Sequence, residues 1–358
     1  MKMVKLKTGA RKTVQQVIMQ AVTVLRGGGL VIYPTETVYG VGVEATNPEA
    51  VKKLLKYKSR REGKPLSIAV SNQAMAEQYV QLNEQARALY RQFLPGPYTI
   101  ISQGLGRVTV GVESEFGTLG VRIPDYPLIT ELVQKLGKPI TATSANASGK
   151  KRPYSLADLF DHLSAKQKSL IDLVIDVGEL PKNEPSVVID TTLSTPLTMR
   201  GSFTQADRVF ITHSDQETRQ LAGKLMLKYW DRAQNQGLLI ALNGELGAGK
   251  TVFTQGVGQF LQVAEPVSSP TYTYLNEYDY SRHDTRGMLY HLDMWKIDIK
   301  ADFEQLQTEK LLKPGNVVVV EWWQQVAKWW PKDQQPDLLL NLEETDEQTR
   351  SIALKENN

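Results

Sequence analysis

A chain of 358 residues is too long for one ordinary hydrophobic core and suits two or three domains, of which two are expected here. Hydrophobic content of 41% and charged content of 23% are those of a folded globular protein, which excludes disordered and fibrous classes. A chain without cysteine has no disulfide, no thiolate nucleophile and no Cys-based zinc site, and its four histidines (His162, His213, His283 and His291) argue against a multi-histidine metal centre.

The formal charge of +3 is too small to indicate nucleic-acid binding, but it is unevenly spread. Residues 1–64 hold nine Lys and four Arg against four Glu, an excess of +9. A basic face of that kind suits phosphate, in a nucleotide or an RNA backbone, and it suits an ordinary solvated surface equally well. Apolar runs such as Val317 to Val320 are far too short to span a bilayer, and Met1-Lys2-Met3-Val4-Lys5 lacks the apolar stretch of a signal peptide. A cytoplasmic protein with no membrane partner is expected.

In chain order, apolar positions at helical spacing predict a helix from Val14 to Leu25, ended by Gly27-Gly28-Gly29 ahead of the strand Leu30-Val31-Ile32-Tyr33. Helices at Pro48 to Tyr57, Asn83 to Phe93 and Pro127 to Leu136 alternate with strands at Leu66 to Val70, Tyr98 to Ser102 and Ile140 to Thr143, an α/β pattern. Strands Ser186 to Asp190 and Leu197 to Met199 close a first domain, residues 1–207. Thr204 to Asp215 is polar enough for a linker, and a second domain covers residues 208–358. It opens with a helix from Asp215 to Arg232, the strand Leu238 to Leu242 and a helix from Lys250 to Leu261. Thr271 to Tyr278 and Met288 to Met294 read as a hairpin around Asp279 to Gly287. A helix from Ala301 to Leu311, a strand from Asn316 to Val320 and a terminal strand pair, Asp337 to Leu342 with Arg350 to Lys355, complete it.

Between that first strand and its helix lies Gly244-Glu245-Leu246-Gly247-Ala248-Gly249-Lys250-Thr251, the G-x-x-x-x-G-K-T spacing of a nucleotide-phosphate loop. Gly244, Gly247 and Gly249 let the backbone curl so that its N–H groups face phosphate oxygens. Lys250 then reaches the β/γ oxygens, and the Thr251 hydroxyl is placed for Mg²⁺. Such a loop needs a carboxylate to hold the metal. Two apolar strands end in acids, Val317-Val318-Val319-Val320-Glu321 and Leu289-Tyr290-His291-Leu292-Asp293, although an acid that merely caps a strand end reads the same way. Ser269-Pro270-Thr271 suits a switch whose hydroxyl meets the metal. His291 reads as a packed strand histidine rather than a ligand. The Trp322-Trp323 and Trp329-Trp330 pairs read by default as packing aromatics, with Trp322 also placed beside Glu321 to stack on a base or a partner.

Taken in order, the phosphate loop, Ser269-Pro270-Thr271-Tyr272, His291-Leu292-Asp293-Met294-Trp295-Lys296 and Val320-Glu321-Trp322 resemble TsaE, the small P-loop ATPase of threonylcarbamoyl-adenosine tRNA modification. The resemblance spans about residues 213 to 355. It implies ATP and Mg²⁺ as ligands, with Thr251, Asp293 and Glu321 serving the metal and hydrolysis. Two departures are visible: Trp295-Lys296 stands where the family has Tyr-Arg, and the family's acidic-glycine segment has no clear counterpart in Ala301 to Leu312.

The first domain, lacking a cysteine or a histidine base, must work through Lys, Arg and hydroxyl groups, a set suited to positioning anions. Lys58-Ser59-Arg60 would project two cations to one face of an extended segment, and Ser144-Ala145-Asn146 aims a hydroxyl and an amide from one strand end. Alone, each is ordinary surface charge or turn chemistry. Joined in order with Tyr33-Pro34-Thr35-Glu36-Thr37-Val38-Tyr39-Gly40, Lys64-Pro65-Leu66-Ser67, Pro95-Gly96-Pro97-Tyr98-Thr99, Gly120-Val121-Arg122-Ile123-Pro124 and Arg200-Gly201, they are similar to the YrdC/TsaC family of threonylcarbamoyl-AMP synthases over about residues 8 to 205.

That resemblance implies a twisted α/β sheet around a deep basic cavity, followed here by a P-loop NTPase α/β domain. It implies a reaction in which L-threonine, bicarbonate and ATP give threonylcarbamoyl-adenylate and pyrophosphate. Lys58, Arg60, Ser144 and Asn146 would handle the ATP phosphates, Thr35, Thr118 and Arg122 would hold threonine, and Arg200 would flank the nucleotide. Pro185-Ser186-Val187 replaces the family's Pro-Ser-Thr, so that Ser186 alone keeps its hydroxyl. Both halves then point to one pathway, in which the second domain hydrolyses ATP on a TsaB–TsaD pair acting on tRNA. Two rival readings stay open: an RNA-binding module with a regulatory P-loop ATPase, and a small-molecule kinase.

Overall fold

Val17, Ile18, Ala21, Val22 and Leu25 recur every three or four residues and are all buried along one face of the helix Arg11–Arg26. Just past the helix end Gly28 takes a φ of +74°, and the Gly29 N–H donates to Val24 O at 2.8 Å. A Cβ on Gly29 would lie 2.4 Å from the Val24 side chain, so glycine alone turns the chain this tightly into the strand Val31–Tyr33. The helix packs against Pro127–Leu136, where Gln15 Nε2 donates to Glu131 Oε1 at 2.5 Å.

The computed structural model describes residues 1–6, 11–58, 65–147, 150–202, 208–270 and 273–357. One unit comprises Met1–Thr192 and Pro196–Phe203, and a second comprises Leu193–Thr195 and Thr204–Asn358. Among the described residues the first unit holds one eleven-stranded mixed sheet. Its order runs Lys2–Lys5, Leu173–Asp176, Val31–Tyr33, Gly40–Gly42, Ile140–Ser144, Ser67–Ala69, Thr118–Arg122, Tyr98–Gly104, Val187–Asp190 and Leu197–Arg200, and Val80–Gln81 pairs with Tyr98–Gly104. Periodicity does not reveal Gly40–Gly42 or Leu173–Asp176, because three or four residues give no alternation to count. Gly40 and Gly42 are strand residues for a tertiary reason: a Cβ on either would lie 2.9 Å from the Tyr33 ring.

The second unit is built on a seven-stranded sheet in the order Val209–Thr212, Thr349–Glu356, Leu338–Asp346, Leu238–Asn243, Val317–Glu321, Thr285–Asp293 and Leu275–Arg282. Leu238–Asn243 pairs in parallel with Val317–Glu321 and with Leu338–Asp346, and its five apolar residues are fully buried, as a strand with neighbours on both sides and both faces covered requires. Three expectations are corrected here. The linker expected over Thr204 to Asp215 contains an edge strand, Val209–Thr212, because Phe210 and Thr212 alternate inward against Thr349–Glu356. The hairpin strands extend to Arg282 and Thr285, leaving only His283, at φ +52°, and Asp284 in the turn. The helix expected from Ala301 to Leu311 breaks into Lys300–Gln305 and a 3₁₀ turn Thr308–Lys310, since Gln307 adopts a left-handed φ of +48°.

Candidate functional site

In the first unit, the end of the strand Ile140–Ser144 is held by side chains from distant parts of the chain. The Tyr57 hydroxyl donates to Ala145 O at 2.6 Å, and Lys58 Nζ donates to Ser144 O at 2.8 Å and to Asn146 O at 2.6 Å. Ser144 Oγ donates to Asn146 Oδ1 at 2.6 Å, and Asn146 Nδ2 to Lys150 O at 2.6 Å. Lys58, Ser144 and Asn146 therefore meet. Lys58 is the last residue of the helix Pro48–Lys58, not part of the extended segment that its spacing to Arg60 suggested, and its ammonium is buried. Arg60 lies outside the described residues.

A second group forms where the chain leaves Val31–Tyr33. Thr35 Oγ1 donates to Val38 O at 2.7 Å and accepts from the Thr37 and Val38 N–H groups, both at 3.2 Å. Arg122, at the end of Thr118–Arg122, forms an ion pair with Glu36 and also donates to Thr37 Oγ1 at 3.4 Å. Glu36 Oε2 and Arg122 Nε are buried and find no partner among the described residues, so each has capacity for a ligand. Thr118 stands apart from this group. It is bound to Ser114 Oγ at 2.7 Å and lies four residues, roughly 13 Å, up the strand from Arg122.

Arg200 lies across the same sheet. Its Nε donates to Ser186 O at 3.1 Å and its Nη2 to Ser186 Oγ at 2.8 Å, so Ser186 orients the guanidinium. Burial lowers the Arg200 pKa, and the charges of Arg122 and Arg152 push it in the same direction. Arg122 and Arg152 thus both lie within electrostatic reach of Arg200, although each also has a carboxylate partner, Glu36 and Glu184 respectively. Arg152 went unnoticed in the sequence; its only signal was the basic run Lys150-Lys151-Arg152. Gly120 also serves this face, since a Cβ there would lie 2.7 Å from Ser67 Oγ and 3.1 Å from Thr99 Cγ2.

In the second unit, the phosphate loop follows Leu238–Asn243 with Gly244, Gly247 and Gly249 at φ values of +147°, +87° and +94°, which side chains rarely adopt. Lys250 Nζ donates to Gly244 O and Glu245 O, both at 2.8 Å, and lies 4.1 Å from the centre of the Trp322 ring. Burial pushes the Lys250 pKa down, against the opposing pull of Glu321, Asp293 and Glu245. Leu246 is 79% exposed, whereas Ala248 is buried. The Trp322 and Trp295 rings lie 4.5 Å apart beside the lysine.

Asp293 and Glu321 end adjacent parallel strands in register, at the carboxyl edge where open α/β sheets place ligands. Thr251 Oγ1 donates to Glu321 Oε2 at 3.2 Å, and Asp293 accepts from Ser269 Oγ at 2.6 Å and from the Trp295 N–H at 3.2 Å. The structure brings Thr251, Ser269, Asp293 and Glu321 together beside the loop, while Thr271 lies outside the described residues. His291, read as a packing residue, is fully buried as such a residue would be, and its Nε2 also meets Glu321 Oε1 at 2.7 Å. Arg350 escaped sequence reasoning altogether. It packs on Gly249, where a Cβ would lie 2.5 Å from its Nε, and is held by Asp215 at 2.9 Å.

Residues 23–202 match the model of the Sua5/YciO/YrdC family, described as telomere recombination, and residues 212–352 match that of the threonylcarbamoyl adenosine biosynthesis protein TsaE. The chain is 37% identical over 161 residues to a threonylcarbamoyl-AMP synthase of Bacillus subtilis, covering 43% of this chain and 45% of that one. It is 31% identical over 179 residues to a threonylcarbamoyl-AMP synthase of Vibrio campbellii, covering 49% and 94%. A double variant of Sua5 from P. abyssi is similar in structure, with a TM-score of 0.53 and 25% identity over 73% of this chain and 74% of that one. The chain spans about half the length of some curated relatives and nearly all of others. No described helix is long and apolar enough to cross a membrane.

Proposed function

The chain belongs to the Sua5/YciO/YrdC family and carries a TsaE-type domain behind it, and from that premise we propose that it makes threonylcarbamoyl-adenylate in its first unit and hydrolyses ATP in its second. The observation that carries the first assignment is the meeting of Lys58 with Ser144 and Asn146 at one strand end, in a chain without cysteine. In the proposed reaction, carbon dioxide from bicarbonate is captured by the threonine amine, a carbamate oxygen attacks the α-phosphorus of ATP, and pyrophosphate leaves. Charge builds on phosphate oxygens during that displacement, and fixed cations are the groups that offset it.

Thr35 and Arg122 would hold the threonine, with Thr118 nearer the far end of its strand. Lys58 and Arg60 would face the phosphates, together with Ser144 and Asn146, and Ser186 would keep Arg200 turned toward the nucleotide. Lys58 would act partly by ordering the Ser144–Asn146 turn, where it donates to Ser144 O and Asn146 O.

In the second unit, the backbone from Gly244 to Thr251 and the Lys250 ammonium would cradle the ATP phosphates, with Trp322 against the base. A hydroxyl and two carboxylates, Thr251, Asp293 and Glu321, form an all-oxygen donor set. That set suits Mg²⁺, which is bound through one or two carboxylates plus substrate phosphates and water. When bound, Mg²⁺ would neutralise charge on the β- and γ-phosphates. Turnover would support a TsaB–TsaD pair that passes the threonylcarbamoyl group to tRNA.

The test is mass spectrometry of reactions containing threonine, bicarbonate and ATP, with each omitted in turn. Adenylate and pyrophosphate dependent on all three are expected. RNA binding with no product would favour an RNA-binding module, and acceptor-dependent ADP formation without partner proteins would favour a kinase.

A further inference from the structure

We propose that His291 is a positioning residue for Glu321, fixing which carboxylate oxygen faces the phosphate loop; the inference rests on the reading of the second unit as an ATPase. His291 pairs with Val319 across parallel strands, so Glu321, two residues further on, lies diagonally opposite on the same sheet face. Both side chains are buried, and His291 Nε2 meets Glu321 Oε1 at 2.7 Å. In the proposed arrangement Nε2 is the donor and the carboxylate oxygen the acceptor, which assigns the imidazole proton to Nε2. His291 Nδ1 is buried with no partner among the described residues, which leaves a lone pair there at less cost than an unmatched N–H.

The two oxygens of Glu321 consequently have different neighbours. Oε1 faces the core, taking His291 at 2.7 Å and Thr254 Oγ1 at 3.5 Å, and Oε2 faces the loop, taking Thr251 Oγ1 at 3.2 Å. Without the imidazole the carboxylate loses its shortest tie and is free to rotate toward Thr254. A histidine that merely fills space would tolerate an apolar replacement of similar volume. One that orients a working carboxylate would not, and partners of this kind typically change activity by about 10–100-fold when removed.

The experiment compares the full chain with its His291→Leu and His291→Gln variants, the glutamine placing an amide donor near the Nε2 position. His291→Leu is expected to lower kcat for ATP hydrolysis by about 10–100-fold, with the Kd for ADP, read by tryptophan fluorescence, changing much less. His291→Gln should recover most of the loss. Unchanged kcat in His291→Leu, or equal damage in both variants, would overturn the proposal. A wild-type chain that turns over no ATP would count against the ATPase reading instead, and the contact is then decided by ¹⁵N NMR of the imidazole. A proton on Nε2, shifted downfield and moved by Glu321→Gln, is expected; a proton on Nδ1 alone would overturn it.

Discussion

Substituting Gly249 by alanine tests how the phosphate loop is held from behind. Gly249 takes a φ of +94°, and a non-glycine residue in that region costs about 1–2 kcal/mol. The new Cβ would also lie 2.5 Å from Arg350 Nε and 2.7 Å from its Cδ, closer than such contacts allow. Arg350 can yield only by leaving Asp215, to which it is bound at 2.9 Å; a half-exposed pair of this kind contributes up to about 1 kcal/mol. The sum is roughly 1–3 kcal/mol, or about 2–12 °C in the melting of a unit this size. Gly247→Ala is the control. Its φ of +87° carries the same backbone cost, but its Cβ would meet only Glu344, at an ordinary 3.4 Å. Calorimetry of the full chain should therefore show a larger loss for Gly249→Ala than for Gly247→Ala, and adding Arg350→Ala to Gly249→Ala should cost less than the sum of the two. Equal losses at the two glycines, or strict additivity with Arg350→Ala, would refute the claim that Arg350 braces the loop.

Lys58→Ala or Arg60→Ala should each cut adenylate formation by about 10²-fold or more while ATP hydrolysis by the second unit persists; near-normal synthesis would remove that residue from the site. Lys250→Ala should abolish ATP turnover by the second unit and leave threonine-dependent adenylate synthesis intact, and loss of both would mean one shared nucleotide site. Because burial depresses the Lys250 pKa in the folded chain, the unfolded chain binds more protons just below the ordinary lysine value, so stability of the free protein rises with pH through that window. Phosphate oxygens reverse the shift, so ADP binding at a pH inside that window should take up a proton; binding enthalpies identical there in buffers of different ionisation heat would contradict this.

What could be read from residues alone was what depends on neighbours along the chain. The helix Pro127–Leu136 falls on the residues its periodicity marks, and the loop from Gly244 to Thr251 is legible because phosphate binding needs that spacing within one turn. The absence of cysteine bounded the chemistry by excluding disulfides and thiolate nucleophiles. Periodicity failed where an element is too short to repeat, as at Gly40–Gly42, and where a turn residue breaks a pattern, as Gln307 breaks the helix after Gln305.

The contacts that decide how the sites work were hidden for another reason. His291 and Glu321 are 30 residues apart, Lys58 and Asn146 are 88 apart, and Arg350 reaches Gly249 from the last strand of the sheet. Nothing in the identity of a histidine between two apolar strand residues says whether it packs or orients a carboxylate. The order of strands in the sheet says it, by setting Val319 beside His291 and so bringing Glu321 within 2.7 Å. Composition and local spacing determined which chemical groups this protein possesses, and only the register of distant strands decided which of them meet.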